Sequence, residues 1–199
     1  MAEPRRPRAA TELKRARLLD ATEEVMLEEG YAAVTSRSVA ARAGINAPLV
    51  HYYFPTIDDL FVAVLRRRGE QGVRRMEQAL ASPEPLRAWW EAASDPRGTA
   101  LLVELMAAAN HREALRAEVG EFARQVRAMQ MERLSTLLEE YGLDVREFPP
   151  ALIAAAVHGL AFGIVQDAAA GYDTATDEAA DGMARLVARL EERRRSRAT

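Results

Sequence analysis

Few side chains in this 199-residue chain could do covalent or metal chemistry, and those few are scattered. There is no cysteine, which removes disulfides, thiolate metal sites and thiol nucleophiles. His51, His111 and His158 stand far apart, with no ligand-type residues around them at metal-binding spacing. No glycine-rich phosphate loop and no nucleophile–base set is present, so the sequence reads as a non-enzyme with no catalytic residue, metal or cofactor. The run from Val39 to Phe54 carries a different chemistry, that of recognition. Two short helical segments meet there at Gly44, which supplies the backbone of a tight turn. Ala40 is small where the helices must approach, and Ile45 plugs the space between them. Asn46 is placed to cap the second helix, and Pro48 sits in its first turn, where a missing N–H is tolerated. Such a pair presents its second helix, here with His51, Tyr52 and Tyr53, to base edges in a major groove.

The elements that must hold this run are helical throughout. Apolar residues recur at helical spacing, and no stretch alternates with period two. A first helix is expected from about Thr11 to Glu29, with Leu18, Ala21, Thr22, Val25 and Met26 on one face and Gly30 as a left-handed cap. Thr35 is placed to cap a second helix ending at Gly44, and a third covers about 46–53. Thr56 and Asp59 have capping-box spacing at the start of a fourth, which Ser82-Pro83-Glu84-Pro85 breaks after Ala81. Further helices are expected over 86–93, 96–109, 111–141, from Phe148-Pro149-Pro150 to Gly171, and over about 176–195. The fold class is therefore all-α with about nine helices. It comprises a basic, flexible arm over 1–10, a three-helix helix-turn-helix domain over 11–56, and a larger helical bundle over 57–199.

The order of these residues resembles the tetracycline-repressor (TetR) family of bacterial regulators. The resemblance covers about Leu18 to Leu60. It rests on Leu18-Leu19-Asp20-Ala21, Glu29-Gly30-Tyr31, Val34-Thr35, Val39-Ala40, Ala43-Gly44-Ile45-Asn46, Tyr53-Phe54-Pro55 and Leu60. It implies a DNA-binding transcriptional regulator, typically a repressor that a small-molecule ligand releases from its operator. It implies that Thr35, Ser36 and Arg37 touch the DNA backbone or flanking bases. Asn46, Ala47, Leu49, Val50, His51 and Tyr52 then lie along the recognition helix, with Tyr53 and Phe54 bracing it. Three positions depart from the commonest pattern. Leu49 stands where threonine is frequent, His51 replaces a phosphate-binding tyrosine, and Ile57 replaces a phosphate-binding lysine. Arg5, Arg6 and Arg8 are expected to make up for these contacts from the arm, entering the minor groove.

The remaining chain is read for partners. Two late helices carry apolar faces, one with Ala154, Ala155, Val157, His158, Ala161, Phe162 and Val165, the other with Met183, Leu186, Val187 and Leu190. Two such helices from each subunit can close a four-helix interface, and the resemblance implies this homodimer on a pseudo-palindromic double-stranded operator. Trp89, Trp90, Met106, Phe122, Val126, Met129 and Phe162, with Gln166 as a polar anchor, are either plain core or the lining of a pocket for a small hydrophobic or aromatic ligand. Glu104 and Asn110 are further polar candidates there. Arg66-Arg67-Arg68 reads as a solvated face. The net charge is −3, but residues 1–68 hold 11 Lys+Arg against 9 Asp+Glu, and the rest 16 against 21, so the positive sign falls on the DNA-reading end. No apolar run approaches the roughly 18–20 residues that cross a bilayer, and no secretory signal opens the chain, so a cytoplasmic location without a membrane partner is expected. The competing reading is a helical protein-interaction module that has lost sequence-specific DNA binding.

Overall fold

Local chemistry sets the helix ends. In the computed structural model of the chain, which describes residues 6–172 and 174–198, α1 (Arg6–Glu29) stops at Gly30. Gly30 has φ 82° and ψ 161°, an extended positive-φ conformation open to glycine and not the left-handed helical cap the sequence suggested. A single 3₁₀ turn (Tyr31–Ala33) leads to Thr35, the N-cap of α2 (Ser36–Ala43). Thr35 Oγ1 accepts the Ser38 N–H at 3.0 Å, and Ser38 Oγ accepts the Thr35 N–H at 2.9 Å, a reciprocal capping box. Gly44, at φ 66° and ψ 38°, closes the helix. Its N–H reaches Ala41 O, and the Ile45 N–H reaches Ala40 O, the paired bonds of a Schellman turn. Then follow α3 (Ala47–Tyr53), α4 (Ile57–Leu80), α5 (Pro85–Ala93), α6 (Pro96–Asn110), α7 (Glu113–Glu140), α8 (Pro150–Ala169) and α9 (Thr174–Ala198). Among the described residues there are nine α-helices and no strand. The expected capping box opens α4, where Thr56 N–H donates to Asp59 and Asp59 N–H to Thr56, each at 3.0 Å. Residues 6–10, expected in a flexible arm, belong to α1. Arg5 lies outside the described residues.

Two compact units result, one of residues up to Gly69 with Leu101–Glu121, the other of Glu70–Ala100 with the residues from Phe122 onward. The sequence suggested a cut near residue 56 with the boundary within the fourth helix; the division does fall inside α4, at Gly69, but the first unit also takes in Leu101–Glu121. The difference arises because the first unit's core is completed from a distance. Leu18, Leu19, Val25 and Met26 of α1, Val39 of α2, Val50 of α3 and Leu60, Phe61 and Val64 of α4 pack with Leu101 and Leu105 of α6 and Leu115 of α7. Each such side chain, fully buried, contributes about 1.5–3 kcal/mol. Polar bonds reinforce the join. Glu104 accepts the Tyr31 N–H at 2.6 Å, Arg112 pairs with Asp58 and lies over the Phe61 ring, and Arg66 makes a bidentate pair with Glu118. That bidentate bond also holds the Glu118 carboxyl below its ordinary pKa. Arg67 and Arg68 thus depart from the solvated face expected, since both bind the buried Glu23, whereas Arg66 is exposed as expected.

In the second unit, α5, α8 and α9 pack on one another around Met76, Leu86, Trp89, Leu134, Leu137, Tyr141, Ala154 and Val187. A carboxylate sits inside it. Glu191, 1% exposed, accepts the Leu86 and Arg87 N–H groups at the start of α5 at 2.9 and 3.2 Å. It also accepts the Tyr141 hydroxyl at 2.6 Å. One sequence expectation is corrected here. α8 has the length and apolarity to cross a bilayer, with a mean hydropathy of 1.5, because alanines and glycines join its larger residues into one stretch whose only charged residue is Asp167.

Candidate nucleic-acid interface

The short helix α3 owes its position to the elements on either side. The Schellman turn at Gly44 fixes its entry, and at its exit the buried Phe54 caps it through an N–H bond to Val50 O at 2.8 Å. From α1, Arg17 donates to Ala43 O at 2.8 Å, satisfying the carboxyl end of α2, and Arg15 lies over the Phe54 ring at 5.3 Å. Arg42 is held on the opposite side of the turn by Glu24, Glu28 and Glu29 of α1, and the hydrogen bond to Glu28 raises its pKa further.

The face this leaves open is small and aromatic. Tyr52 is 76% exposed, with its ring edge-on to Tyr53 at 5.2 Å. His51 is exposed with Nδ1 3.4 Å from Pro55 O, a carbonyl that accepts the proton when Nδ1 carries it. Asn46 and Pro48 are exposed and Leu49 half-buried, while Thr35 and Arg37 at the start of α2 are exposed beside the half-buried Ser36. Ala47 and Tyr53 are half-buried against the core. Two expectations are corrected. Val50, placed among the contact residues, is 1% exposed and faces the core, so its side chain has no reach to a ligand. Asn46 occupies the N-cap position, but its side chain makes no capping bond.

The residues assigned to a ligand pocket fall in different places. Trp89 is buried, with Val126 and Met129 packed against the same cluster, and Trp90, Phe122 and Gln166 are half-buried in the second unit. Met106 belongs to the first unit and is 44% exposed, and Glu104, read as a pocket anchor, is spent on the Tyr31 N–H. His158 is edge-on to Trp89 at 5.7 Å, with Nε2 3.5 Å from Gln130 Nε2, and burial of the ring lowers its pKa, with Arg127 adding to the effect. Of the residues assigned to a dimer interface, Ala154 and Val187 are buried in this unit's own core, a correction. Met183 and Leu190 are half-buried against that core, while Ala155, Phe162 and Leu186 are exposed; His158 is accessible as a whole residue although its ring packs against Trp89. Sequence reasoning missed Glu23 and Glu191. Each had one signal: it continues an apolar helical stripe, Glu23 four residues after Leu19 and Glu191 four after Val187.

Comparison with known proteins gives this geometry a family. Residues 18–64 match the model of bacterial regulatory proteins, tetR family. A transcriptional activator of the helix-turn-helix type, FasR from Mycolicibacterium smegmatis, is 36% identical over 67 residues, covering 34% of this chain and 31% of that protein. The regulator BetI from Paraburkholderia phytofirmans is 40% identical over 76 residues, 36% of this chain and 39% of that one. The chain thus spans roughly a third of the length of the curated relatives it matches. Solved structures extend the likeness of fold. A transcriptional regulator from Rhodococcus sp. superposes with a TM-score of 0.67 at 24% identity, over 87% of this chain and 95% of that one. A protein from Saccharomonospora viridis crystallised with choline gives 0.70 at 17% identity, over 88% and 96%. The Schellman turn, the short exposed α3 and the aromatic end that braces it all lie within the stretch that matches the tetR family of bacterial regulatory proteins.

Proposed function

We propose that this protein is a DNA-binding transcriptional regulator that holds a pseudo-palindromic operator as a homodimer in the cytoplasm and releases it on binding a small molecule. The observation that carries the reading is the tetR-family match over residues 18–64, which falls on a helix-turn-helix whose α3 keeps Tyr52 and His51 open while α1 and α4 fix its two ends. Base and phosphate contacts come from Thr35, Ser36, Arg37, Asn46, Ala47, Leu49, His51, Tyr52 and Tyr53. An electrophoretic mobility shift with the gene's own upstream region tests it. Sequence-selective binding that weakens steeply with salt is expected. No such binding would overturn it in favour of a protein-interaction module.

Two parts of the reading have separate support. Dimerisation rests on the apolar groups that α8 and α9 leave uncovered in the single chain, among them Phe162 at 44% and Leu186 at 51% exposure. A dimer buries these groups, and Phe162→Arg is expected to shift sedimentation from dimer to monomer. The ligand class, hydrophobic or aromatic, rests on the Trp89, Val126 and Met129 cluster, and the choline in the Saccharomonospora viridis structure gives a precedent for a small molecule in this fold. A ligand acts only through its preference between two states, and a tenfold preference for the DNA-incompetent one is worth about 1.4 kcal/mol. Release of operator DNA by a compound that also raises the melting temperature identifies such a ligand.

A further inference from the structure

Among its described side chains, the first unit spends most of its positive charge internally. Arg42, Arg66, Arg67, Arg68 and Arg112 are paired with carboxylates. Arg17 and Arg116 are bonded to backbone carbonyls. Among the described side chains, three cations remain outside this network: Arg37 on α2, and Lys14 and Arg15 on α1. Arg37 is already one of the expected contacts. The other two lie on a part of α1 that the core does not use. The helix begins at Arg6, yet its first buried residue with a described side chain is Leu18, and Leu13 in the segment between is 64% exposed. Lys14 and Arg15 stand one turn before Leu18 and Leu19, on the core-facing side of a helix that has run past its core. Arg15 is moreover directed. Its guanidinium lies over Phe54, the residue that ends α3, with Tyr53 and the Pro55 carbonyl that faces His51 as chain neighbours of that ring.

We propose that this overhang of α1 is a second DNA-contacting element, in which Lys14 and Arg15 bind backbone phosphates of the duplex whose groove α3 enters. It rests on the DNA-binding reading above. Phe54 holds Arg15 through its ring face while leaving the guanidinium's N–H fork free for a phosphate. These two cations supply the contacts that Ile57 and His51 do not. They carry no base preference, so they raise affinity for every sequence alike.

The test is fluorescence anisotropy with two short duplexes, one from the gene's own upstream region and one of scrambled sequence, between about 50 and 200 mM salt. Lys14→Gln and Arg15→Gln are each expected to reduce the slope of log affinity against log salt by about 0.9 per protomer, and to weaken binding about eightfold per protomer near 0.1 M salt. Both duplexes lose by the same factor, and Arg15→Lys keeps the slope. Unchanged slopes overturn the proposal. So does an Arg15→Gln loss confined to the upstream duplex, which would make Arg15 only a prop for α3. If Arg15→Gln loses its melting transition, Lys14→Gln, an exposed substitution outside the core, decides alone. Absence of salt-dependent binding by the unaltered protein to either duplex refutes the DNA-binding reading itself.

Discussion

Replacing Glu191 with alanine should be among the most damaging single changes in the second unit. The carboxylate is 1% exposed and serves three donors, the Tyr141 hydroxyl and the Leu86 and Arg87 amides that open α5. Of these, Tyr141 is 0% and Leu86 7% exposed, so water cannot readily replace the lost acceptor for either. An orphaned buried donor costs about 1–3 kcal/mol. Loss of a helix cap costs about 0.5–2 kcal/mol. Together they give about 1.5–5 kcal/mol, a large part of the roughly 5–15 kcal/mol that holds a typical domain folded. Urea melts followed by circular dichroism at neutral pH measure it. Tyr141→Phe removes one donor and should cost less, about 1–2 kcal/mol. The double variant should fall short of the sum by about 1 kcal/mol, because each single change removes the same bond. A Glu191→Ala loss below about 1 kcal/mol, or strict additivity with Tyr141→Phe, would refute the claim that these donors depend on the carboxylate.

Tyr141 also makes stability depend on alkali. Burial first, then the bond to Glu191, raises its pKa in the folded chain well above the ordinary 10.0. This contribution is complete below pH 10 and declines above it, where the unfolded chain releases a proton that the folded one retains; Tyr141→Phe should flatten that decline in melts at rising pH. His158 has the opposite sign, its folded pKa lying below 6.5, so its contribution is present above pH 6.5 and is lost as pH falls; an NMR titration midpoint at or above 6.5 would contradict the burial against Trp89. Glu23→Ala removes the buried carboxylate shared by Arg67 and Arg68, leaving Arg67 its pair with the exposed Asp20, and should cost about 3 kcal/mol in chemical melts. Arg66→Ala, breaking a largely exposed pair with Glu118, should cost under about 1 kcal/mol. Gly44→Ala meets only the Arg17 tip at 3.6 Å, so its cost is the positive φ alone, about 1–2 kcal/mol, read as a lower melting temperature.

What the sequence made legible was local. Thr35, Gly44 and the Thr56–Asp59 pair act within a few residues of themselves, and each does in the fold what its spacing suggested. Helix existence was equally readable, since α7 and α9 repeat their pattern over many turns. α3 was not fully readable, because seven residues hold under two turns, too few for periodicity to sort the buried Val50 from the exposed Tyr52. Gly30 shows a second limit: a glycine announces a special conformation without saying which one. The larger omissions were at long range. Glu104 meets Tyr31, Arg67 meets Glu23 and Glu191 meets Leu86 across separations that no spacing rule encodes. The same limit hid Ala154 and Val187, whose small or branched apolar side chains suit a subunit interface and a private core equally.

The first unit is assembled from two stretches of chain with Glu70–Ala100 between them. That arrangement sets an order on synthesis. When Gly69 has emerged from a ribosome, the helix-turn-helix is already made, but Leu101, Leu105 and Leu115 are not, and the core they complete is open. Closure waits until Glu121 is out, a delay of several seconds at about 5–20 residues per second. During that interval the nascent chain exposes Leu60, Phe61 and Val64 of α4, the surface that a chaperone would meet first. An expression fragment ended at Gly69 would hold that unfinished state permanently. A soluble recognition module cut from this protein has to carry the α6–α7 corner with it.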